Sequence, residues 1–342
     1  MYADFIVDQI IEESQTIKSF YLKRGDKQPL ETYHPGQFIT LQIAPGTTGK
    51  TYTRNYTLSD SPTKPYYRLT IKKEPEGVVS GFLHSEIQVG DKLQVSKPNG
   101  QFYLSNQVQN PILLLSGGVG ITPMLSMLEY VVTEQPNRPV YFLHSSSNKE
   151  VQPMQARLKE LTEQNPYLKV EIYHTKPTAQ EVAGTDYDFE GVITLESLKR
   201  YAQQTGLETY LCGPVGFMET MYTHLLELGI PTDKIFYEFF GEGKPLGQTP
   251  VFKDADTNTF EVSFTKSDKR TRWEGAQTNL LELAEDTGLA PEFGCRMGTC
   301  SSCEVSIKKG SVTYDPEPFL EVPEGKVLLC CAQPTSNVEI EI

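Results

Sequence analysis

GCRMGTCSSC, residues 294–303, and LLCCAQPTSNV, residues 328–338, decide what the C-terminal part of this chain must be. Cys295, Cys300 and Cys303 stand in the spacing Cys-x4-Cys-x2-Cys, and a fourth thiol follows at Cys330 or Cys331. That spacing suits four thiolates holding the two irons of a 2Fe-2S cluster. A structural zinc site also uses four cysteines, but it typically draws them from two short Cys-x2-4-Cys hooks, and only one short hook is present. A loop that wraps a cluster must aim backbone N–H groups at its sulfurs and keep bulk away. Gly294, Gly298, Thr299, Ser301 and Ser302 meet that demand. This end of the chain is read as a one-electron carrier.

Around the cysteines, FEVSFTK, the helical TNLLELAEDTG and the terminal VEIEI predict a small mixed sheet with one helix. Upstream, GEGKPLGQTP (241–250) holds three Gly and two Pro in ten positions and reads as a linker. Between about 111 and 240 the pattern is strand alternating with helix: ILLLS, PMLSMLEYVVTEQ, VYFLHS, MQARLKELTEQ, VEIYHT, TYLCG. That alternation predicts a parallel sheet with crossover helices. Residues 1 to about 105 are short alternating runs such as FIVDQII, SFYLKR, QFITLQI, YRLTIKK and KLQVSKP, broken by Gly and Pro, which predicts an antiparallel β-barrel. The expected boundaries are a barrel over 1–105, an α/β domain over 106–242, a linker over 243–250 and the cysteine domain over 251–342.

Four further motifs carry chemistry. Arg54-Asn55-Tyr56-Thr57-Leu58-Ser59 ends a predicted strand with a guanidinium for a phosphate, an aromatic ring to pack on a flavin and a hydroxyl near it. Alone the motif is weak, because Arg and Tyr are common on half-exposed strands. Gly77-Val78-Val79-Ser80 precedes a short helical segment, where backbone donors and a hydroxyl suit an anion; the plainer reading makes Ser80 an N-cap. Ser116-Gly117-Gly118-Val119-Gly120-Ile121-Thr122-Pro123 joins a buried strand to a helix, with glycines for close approach to a pyrophosphate and Pro123 at the first helical position. Pro123 replaces the third Gly of the GxGxxG fingerprint, so the ordinary Rossmann motif is absent. Cys212-Gly213-Pro214 marks another strand-to-helix junction, at the sheet edge where open α/β sheets bind ligands; a lone Cys is more often a small core residue.

The net charge of −13 argues against nucleic acid as a partner, since phosphate binding needs a basic surface. Residues 251–342 hold nine Lys and Arg against sixteen Asp and Glu. An acidic face there could steer toward a basic partner, although solvated carboxylates are as common without one. No apolar run is long enough to span a bilayer and no basic leader precedes an apolar core, so a cytoplasmic protein without membrane insertion is expected. Six cysteines without a secreted-style framework agree with a reducing compartment.

Together these motifs resemble the ferredoxin-NADP reductase superfamily over essentially the whole chain. Residues 1–242 are similar to the reductase part of flavohaemoglobins through RNYTLSD, KKEPEGVVSGFLH, SGGVGITPML, YLCGPVGFM and YEFFG, and residues 251–342 resemble a plant-type ferredoxin. The order resembles single-chain reductases of multicomponent oxygenases. The fold implied is a flavin-binding antiparallel β-barrel, a parallel α/β nicotinamide domain and a β-grasp 2Fe-2S domain. The resemblance selects Cys330, followed shortly by Pro-Thr-Ser, as the fourth ligand beside Cys295, Cys300 and Cys303, and leaves Cys331 a buried thiol. It implies flavin binding by Arg54, Tyr56 and Thr57, where Thr57 replaces a usual Ser, and flavin phosphates at Val79 and Ser80. Gly118, Gly120 and Thr122 would cradle the dinucleotide, Cys212, Gly213 and Pro214 would flank the nicotinamide, and Glu238 and Phe240 would lie near the flavin. Tyr56, Thr57, Cys212 and Glu238 are then the groups at the reacting rings. The sequence contains no globin domain, so binding of dioxygen or nitric oxide at haem is not implied.

NAD(P)H releases two electrons as a hydride and a 2Fe-2S cluster accepts one at a time, so a flavin is expected between them. FAD is favoured over FMN by the flavohaemoglobin-like motifs. NADH is favoured over NADPH because HSSSNKE (144–150) lacks an arginine for a 2′-phosphate, with Lys149 and its serines the competing reading. The expected function is a monomeric reductase that feeds a Rieske-type oxygenase or demethylase. The alternatives are a reductase of another acceptor, such as a hybrid-cluster protein, membrane hydroxylase or desaturase, and a redox sensor without turnover.

Overall fold

The computed structural model describes all residues except 1, 47–50, 106–108, 241–245, 247–258, 276, 292, 294–297, 299–300, 302, 316 and 319–320. Contacts divide the chain into two compact units, Met1–Thr51 with Tyr56–Phe240, and Tyr52–Asn55 with Gly241–Ile342. The expected linker lies outside the described residues apart from Leu246.

The first unit opens with strands β1 (Ala3–Ser14), β2 (Ile17–Arg24), β3 (Phe38–Ile43), the end of β4 (Tyr52–Thr57), whose first four residues the contacts assign to the second unit, and β5 (Tyr67–Lys72), then helix α1 (Val78–Ser85) and strand β6 (Lys92–Val95). They form one six-stranded sheet in the order β4-β3-β6-β1-β2-β5, with antiparallel ladders between β1 and β2, β2 and β5, β1 and β6, and β3 and β6. The sheet closes on itself past the end of β4, where Leu58 bridges Leu69 and the Ser59 N–H donates to the Arg68 carbonyl at 2.8 Å. Closure removes the open edges that an antiparallel sheet would otherwise present. Val7, Leu22, Ile39, Leu41, Leu58 and Leu69 fill the interior and are completely buried.

The rest of this unit alternates β7 (Ile112–Gly117), α2 (Ile121–Glu134), β8 (Val140–Ser146), α3 (Gln155–Gln164), β9 (Leu168–His174), β10 (Phe189–Glu190), α4 (Leu195–Ala202), β11 (Glu208–Cys212), α5 (Val215–Glu227) and β12 (Ile235–Glu238). The sheet is parallel, in the order β10-β9-β8-β7-β11-β12. β7 is buried along its whole length, as a central strand covered on both faces must be. Strand order reverses between β7 and β11, and the crevice at such a reversal is where open α/β sheets take ligands.

In the second unit β13 (Phe260–Phe264), β14 (Lys269–Trp273), α6 (Leu280–Asp286), β15 (Glu304–Lys309), β16 (Val312–Tyr314), β17 (Lys326–Leu328), β18 (Ala332–Pro334) and β19 (Val338–Ile340) make a five-stranded mixed sheet, β14-β13-β19-β15-β17, and a separate β16-β18 pair. β13 and β19 run parallel, whereas β15 runs antiparallel to β19. The Asn279 side chain caps α6 by accepting from the Glu282 N–H at 3.0 Å. Leu280, Leu281, Leu283 and Ala284 then face a core shared with Val262, Phe264 and the segment Val327–Ala332.

One local expectation and one plainer alternative are corrected. α2 begins at Ile121, so Pro123 occupies the third helical position rather than the first, still within the first turn, where proline is tolerated. Ser80 is not an N-cap. Gly77 is the cap of α1, Ser80 lies inside the first turn, and its Oγ instead accepts from the Glu74 N–H at 3.1 Å.

Candidate functional site

Strand alternation sets Arg54 and Tyr56 on one face of β4 and Thr53, Asn55 and Thr57 on the other. Arg54 and Tyr56 are half-buried, while Thr57 is buried. The Arg54 guanidinium donates to the Thr53 carbonyl at 2.7 Å. At the start of α1 the N–H groups of Val78, Val79 and Ser80 have no acceptor within the helix, since the first intrahelical donor is Gly81 to the Gly77 carbonyl at 2.7 Å. A β-carbon on Gly77 would strike the Ser80 hydroxyl, so the turn that aims these donors requires glycine. Val79 and Ser80 are themselves buried, which leaves their backbone rather than their side chains to meet an anion.

The two strand-to-helix junctions of the parallel sheet meet at the switch point. Cys212 is paired in register with Ser116 on one side and Glu238 on the other, so the carboxyl ends of β7, β11 and β12 bring these three residues into one row. A β-carbon on Gly120 would collide with the Cys212 carbonyl and come within 2.7 Å of the Gly213 nitrogen. Gly118 adopts φ 53° with open space where a side chain would stand. Gly118 and Val119 are half-exposed, and Pro214, Val215 and Gly216 lie exposed across the crevice. The result is a ledge of bare backbone beside the N-termini of α2 and α5, suited to a dinucleotide. Thr122 is buried and its hydroxyl donates to the Val119 carbonyl at 3.1 Å, so it braces the turn.

Glu238 and Cys212 are held neutral. Burial pushes the Glu238 carboxyl up to about 8, and its Oε2 is sealed from solvent with no hydrogen-bond partner among the described residues. Burial, reinforced by Glu238, raises the Cys212 thiol well above its ordinary value. An orphaned carboxyl oxygen beside bare backbone fits a site completed by a polar ligand. Phe240, two residues beyond, is exposed. Beside this row is a pair that motif reading passed over: Ser116 Oγ and His144 Nδ1 lie 2.7 Å apart, with burial pushing His144 down to about 3 and its Nε2 unpartnered among the described residues. A single His in an apolar strand carries no local signal that would have marked it.

In the second unit the expected ligands Cys295 and Cys300 lie outside the described residues. Cys303 and Cys330 are buried. The Gly298 N–H donates to Cys330 Sγ at 3.3 Å, the kind of backbone contact a cluster thiolate needs. Cys331 Sγ instead faces the Leu328 carbonyl at 3.7 Å.

Three family models match in succession: an oxidoreductase FAD-binding domain over residues 4–103, an oxidoreductase NAD-binding domain over 114–223 and a 2Fe-2S iron-sulfur cluster binding domain over 264–335. The chain thus carries three domains in the order of ferredoxin-NADP reductase-type proteins. Among relatives, Flavohemoprotein A of Dictyostelium discoideum is 41% identical over 251 residues, which cover 70% of this chain and 60% of that protein. The chain thus spans about three fifths of the length of the flavohaemoproteins it matches. The flavohaem-like FAD/NAD-binding domain of nitric oxide dioxygenase from Vibrio cholerae superposes with a TM-score of 0.64 at 29% identity, covering 70% of this chain and 99% of that one. Phthalate dioxygenase reductase superposes with a TM-score of 0.63 over 100% of this chain and 98% of its own; at 20% identity this likeness shows the fold alone. The chain therefore carries the FAD-binding and NAD-binding domains of oxidoreductases and a 2Fe-2S cluster binding domain. No helix among the described residues is long and apolar enough to cross a membrane.

Proposed function

We propose that this chain is the NADH-dependent reductase component of a Rieske-type oxygenase or demethylase, acting as a monomer in the cytoplasm. Residues 1–105 would hold FAD, 106–242 the nicotinamide and 251–342 the cluster, joined through 243–250. The observation that carries the reading is the presence of FAD-binding, NAD-binding and 2Fe-2S domains in one polypeptide. A fused one-electron carrier has a use only if electrons leave singly for another protein.

When bound, the flavin supplies the conversion of one two-electron donation into two one-electron deliveries. Arg54 and the first-turn N–H groups of α1 would hold its phosphates, and Tyr56 would pack on its ring system. The ledge from Gly118 to Gly120 would seat the dinucleotide, with Gly213 and Pro214 opposite it. Cys212 and the neutral Glu238 would keep fixed charge and water away from the reacting rings, where Glu238 can donate a hydrogen bond. Cys295, Cys300, Cys303 and Cys330 would ligate the cluster. For each NADH consumed, one NAD+ and one proton are released and two one-electron acceptors are reduced.

Anaerobic titration of the purified protein with NADH, read by visible and electron paramagnetic resonance spectra, tests this reading. Flavin bleaching together with a rhombic signal of reduced 2Fe-2S is expected; flavin reduction without that signal rejects the route through the cluster. Adding candidate oxygenase components then separates the Rieske partner from other acceptors.

Two substitutions probe the cofactor sites. Arg54→Ala is expected to weaken flavin retention about 10- to 100-fold, the worth of a charge-assisted phosphate contact. Unchanged flavin content after dialysis would remove Arg54 from the site. Lys149, which with the serines of HSSSNKE is the candidate for a 2′-phosphate, is held by Asp186 at 2.6 Å, an ion pair that favours NADH. Asp186→Asn should free Lys149 while keeping an acceptor for the Val182 N–H, which Asp186 now bonds at 2.9 Å. The NADPH:NADH ratio of kcat/KM is expected to rise roughly tenfold, and an unchanged ratio would show that Lys149 does not meet the 2′ position.

A further inference from the structure

The first unit contains a buried chain of charges of which the motif RNYTLSD includes only Asp60. Asp60, six residues beyond Arg54 on the continuation of β4, places its Oδ2 3.1 Å from Arg68 Nη1 on β5. Arg68 also donates to the Ser59 carbonyl and lies 3.6 Å from Glu129 Oε1 on α2. Glu129 is gripped from the other side by Arg157 of α3, which donates to both carboxylate oxygens at 2.8 and 2.6 Å. One turn earlier on α2, Ser126 Oγ donates to the Asp60 carbonyl at 2.8 Å. Asp60, Arg68, Ser126 and Glu129 are each at most 4% exposed.

Such a chain is a poor way to gain stability, because desolvating four charges offsets most of what their pairing returns and an apolar core of equal volume would serve as well. What it supplies is direction, since ion pairs and hydrogen bonds hold one geometry where apolar contacts tolerate sliding. Its two ends coincide with the two cofactor-bearing elements. Ser59 and Asp60 continue the strand that carries Arg54 and Tyr56. Ser126 and Glu129 lie on the helix whose N-terminus is the Gly118–Thr122 turn, three residues apart and therefore on one face.

We propose that Asp60, Arg68, Ser126, Glu129 and Arg157 form a positioning clamp that sets the distance and angle between the flavin strand and the dinucleotide turn. The inference rests on the cofactor placement proposed above. A rigid helix and a closed barrel carry the geometry fixed at the clamp to the site, where a misplacement of about 1 Å costs on the order of 100-fold in rate.

Ser126→Ala, Glu129→Gln and Arg157→Gln test the clamp in the full-length holoprotein. Each folded variant is expected to retain its flavin and to bind NADH with little change, yet to bleach flavin about 10- to 100-fold more slowly at saturating NADH in single-turnover stopped flow. The long-wavelength absorbance that NAD+ induces in the reduced protein should weaken in parallel. A merely structural role would lower flavin content and thermal midpoint and leave the rate of flavin-replete molecules alone, and that result would overturn the proposal. Glu129→Gln is the variant most at risk of misfolding; Arg157, which is partly exposed, and Ser126, which is uncharged, remain decisive without it. Amide hydrogen exchange on the flavin-free chain gives a second readout that needs no turnover. Faster exchange at residues 58–61 and 118–123 together supports the clamp, and unchanged exchange at both rejects it. If NADH fails to reduce the wild-type flavin, the proposed function falls, and the exchange result still decides the clamp.

Discussion

Cys330→Ser is expected to abolish NADH-driven reduction of cytochrome c while NADH-driven reduction of ferricyanide persists. A serine oxygen is a harder donor than a thiolate and titrates far above neutral pH, so it replaces a soft ligand poorly. The substitution also removes the sulfur on which the Gly298 N–H converges at 3.3 Å. Ferricyanide can draw electrons from the flavin directly, whereas cytochrome c stands in for a protein acceptor reached through the cluster. Cys331→Ser is the matched control, because its sulfur faces the Leu328 carbonyl and should cost packing rather than the cluster. Loss of both activities in Cys330→Ser would mean that the flavin site depends on this thiol, contrary to the proposed route. Retention of both would transfer the fourth ligand to Cys331, and the control would then show the loss.

How much of this was legible in the chain depends on how far apart the partners lie. The domain order was legible because each piece has a local period: alternation in β1 to β6, the uninterrupted apolar β7, and the cysteine spacing. Glycine positions were legible too, since Gly118 at φ 53° and Gly120 against the Cys212 carbonyl are local answers to local geometry. The helix starts were less so. Ser80 resembles a cap, but the cap falls on Gly77 because the Ser80 hydroxyl is taken by the Glu74 N–H. The short α4 carries a capping box between Thr194 and Ser197, yet eight residues offer too few turns for a periodic signal to stand out. Nothing in the sequence near Lys149 announces the ion pair with Asp186, 37 residues away, that holds it. The clamp is the extreme case. Arg68 and Glu129 are 61 residues apart, on elements whose meeting only the tertiary fold decides, and no spacing in the sequence announces them.

The burial of Glu238 should be visible as a pH-dependent loss of stability in the flavin-free protein. A carboxyl raised from an ordinary 4.5 to about 8 is protonated in the folded state over a range where the unfolded chain has already lost its proton. The folded state then binds more protons than the unfolded state, so stability falls as pH rises from about 4.5 to about 8 and levels off above that. One proton per molecule corresponds to a change of up to about tenfold in the unfolding equilibrium constant per pH unit. Glu238→Gln keeps the shape and a neutral hydrogen-bonding head but cannot ionise, so its stability should lose this slope. Denaturant unfolding of both proteins at pH 5, 6.5 and 8 measures it: the difference between them should grow with pH in favour of the Gln variant. Parallel curves would mean that Glu238 is solvated or ionised when the protein is folded, and its assignment as a neutral donor at the sheet edge would then fail. A growing difference would leave Cys212 beside an uncharged neighbour at neutral pH, which is the condition under which the row Ser116, Cys212, Glu238 presents no fixed negative charge to an incoming dinucleotide.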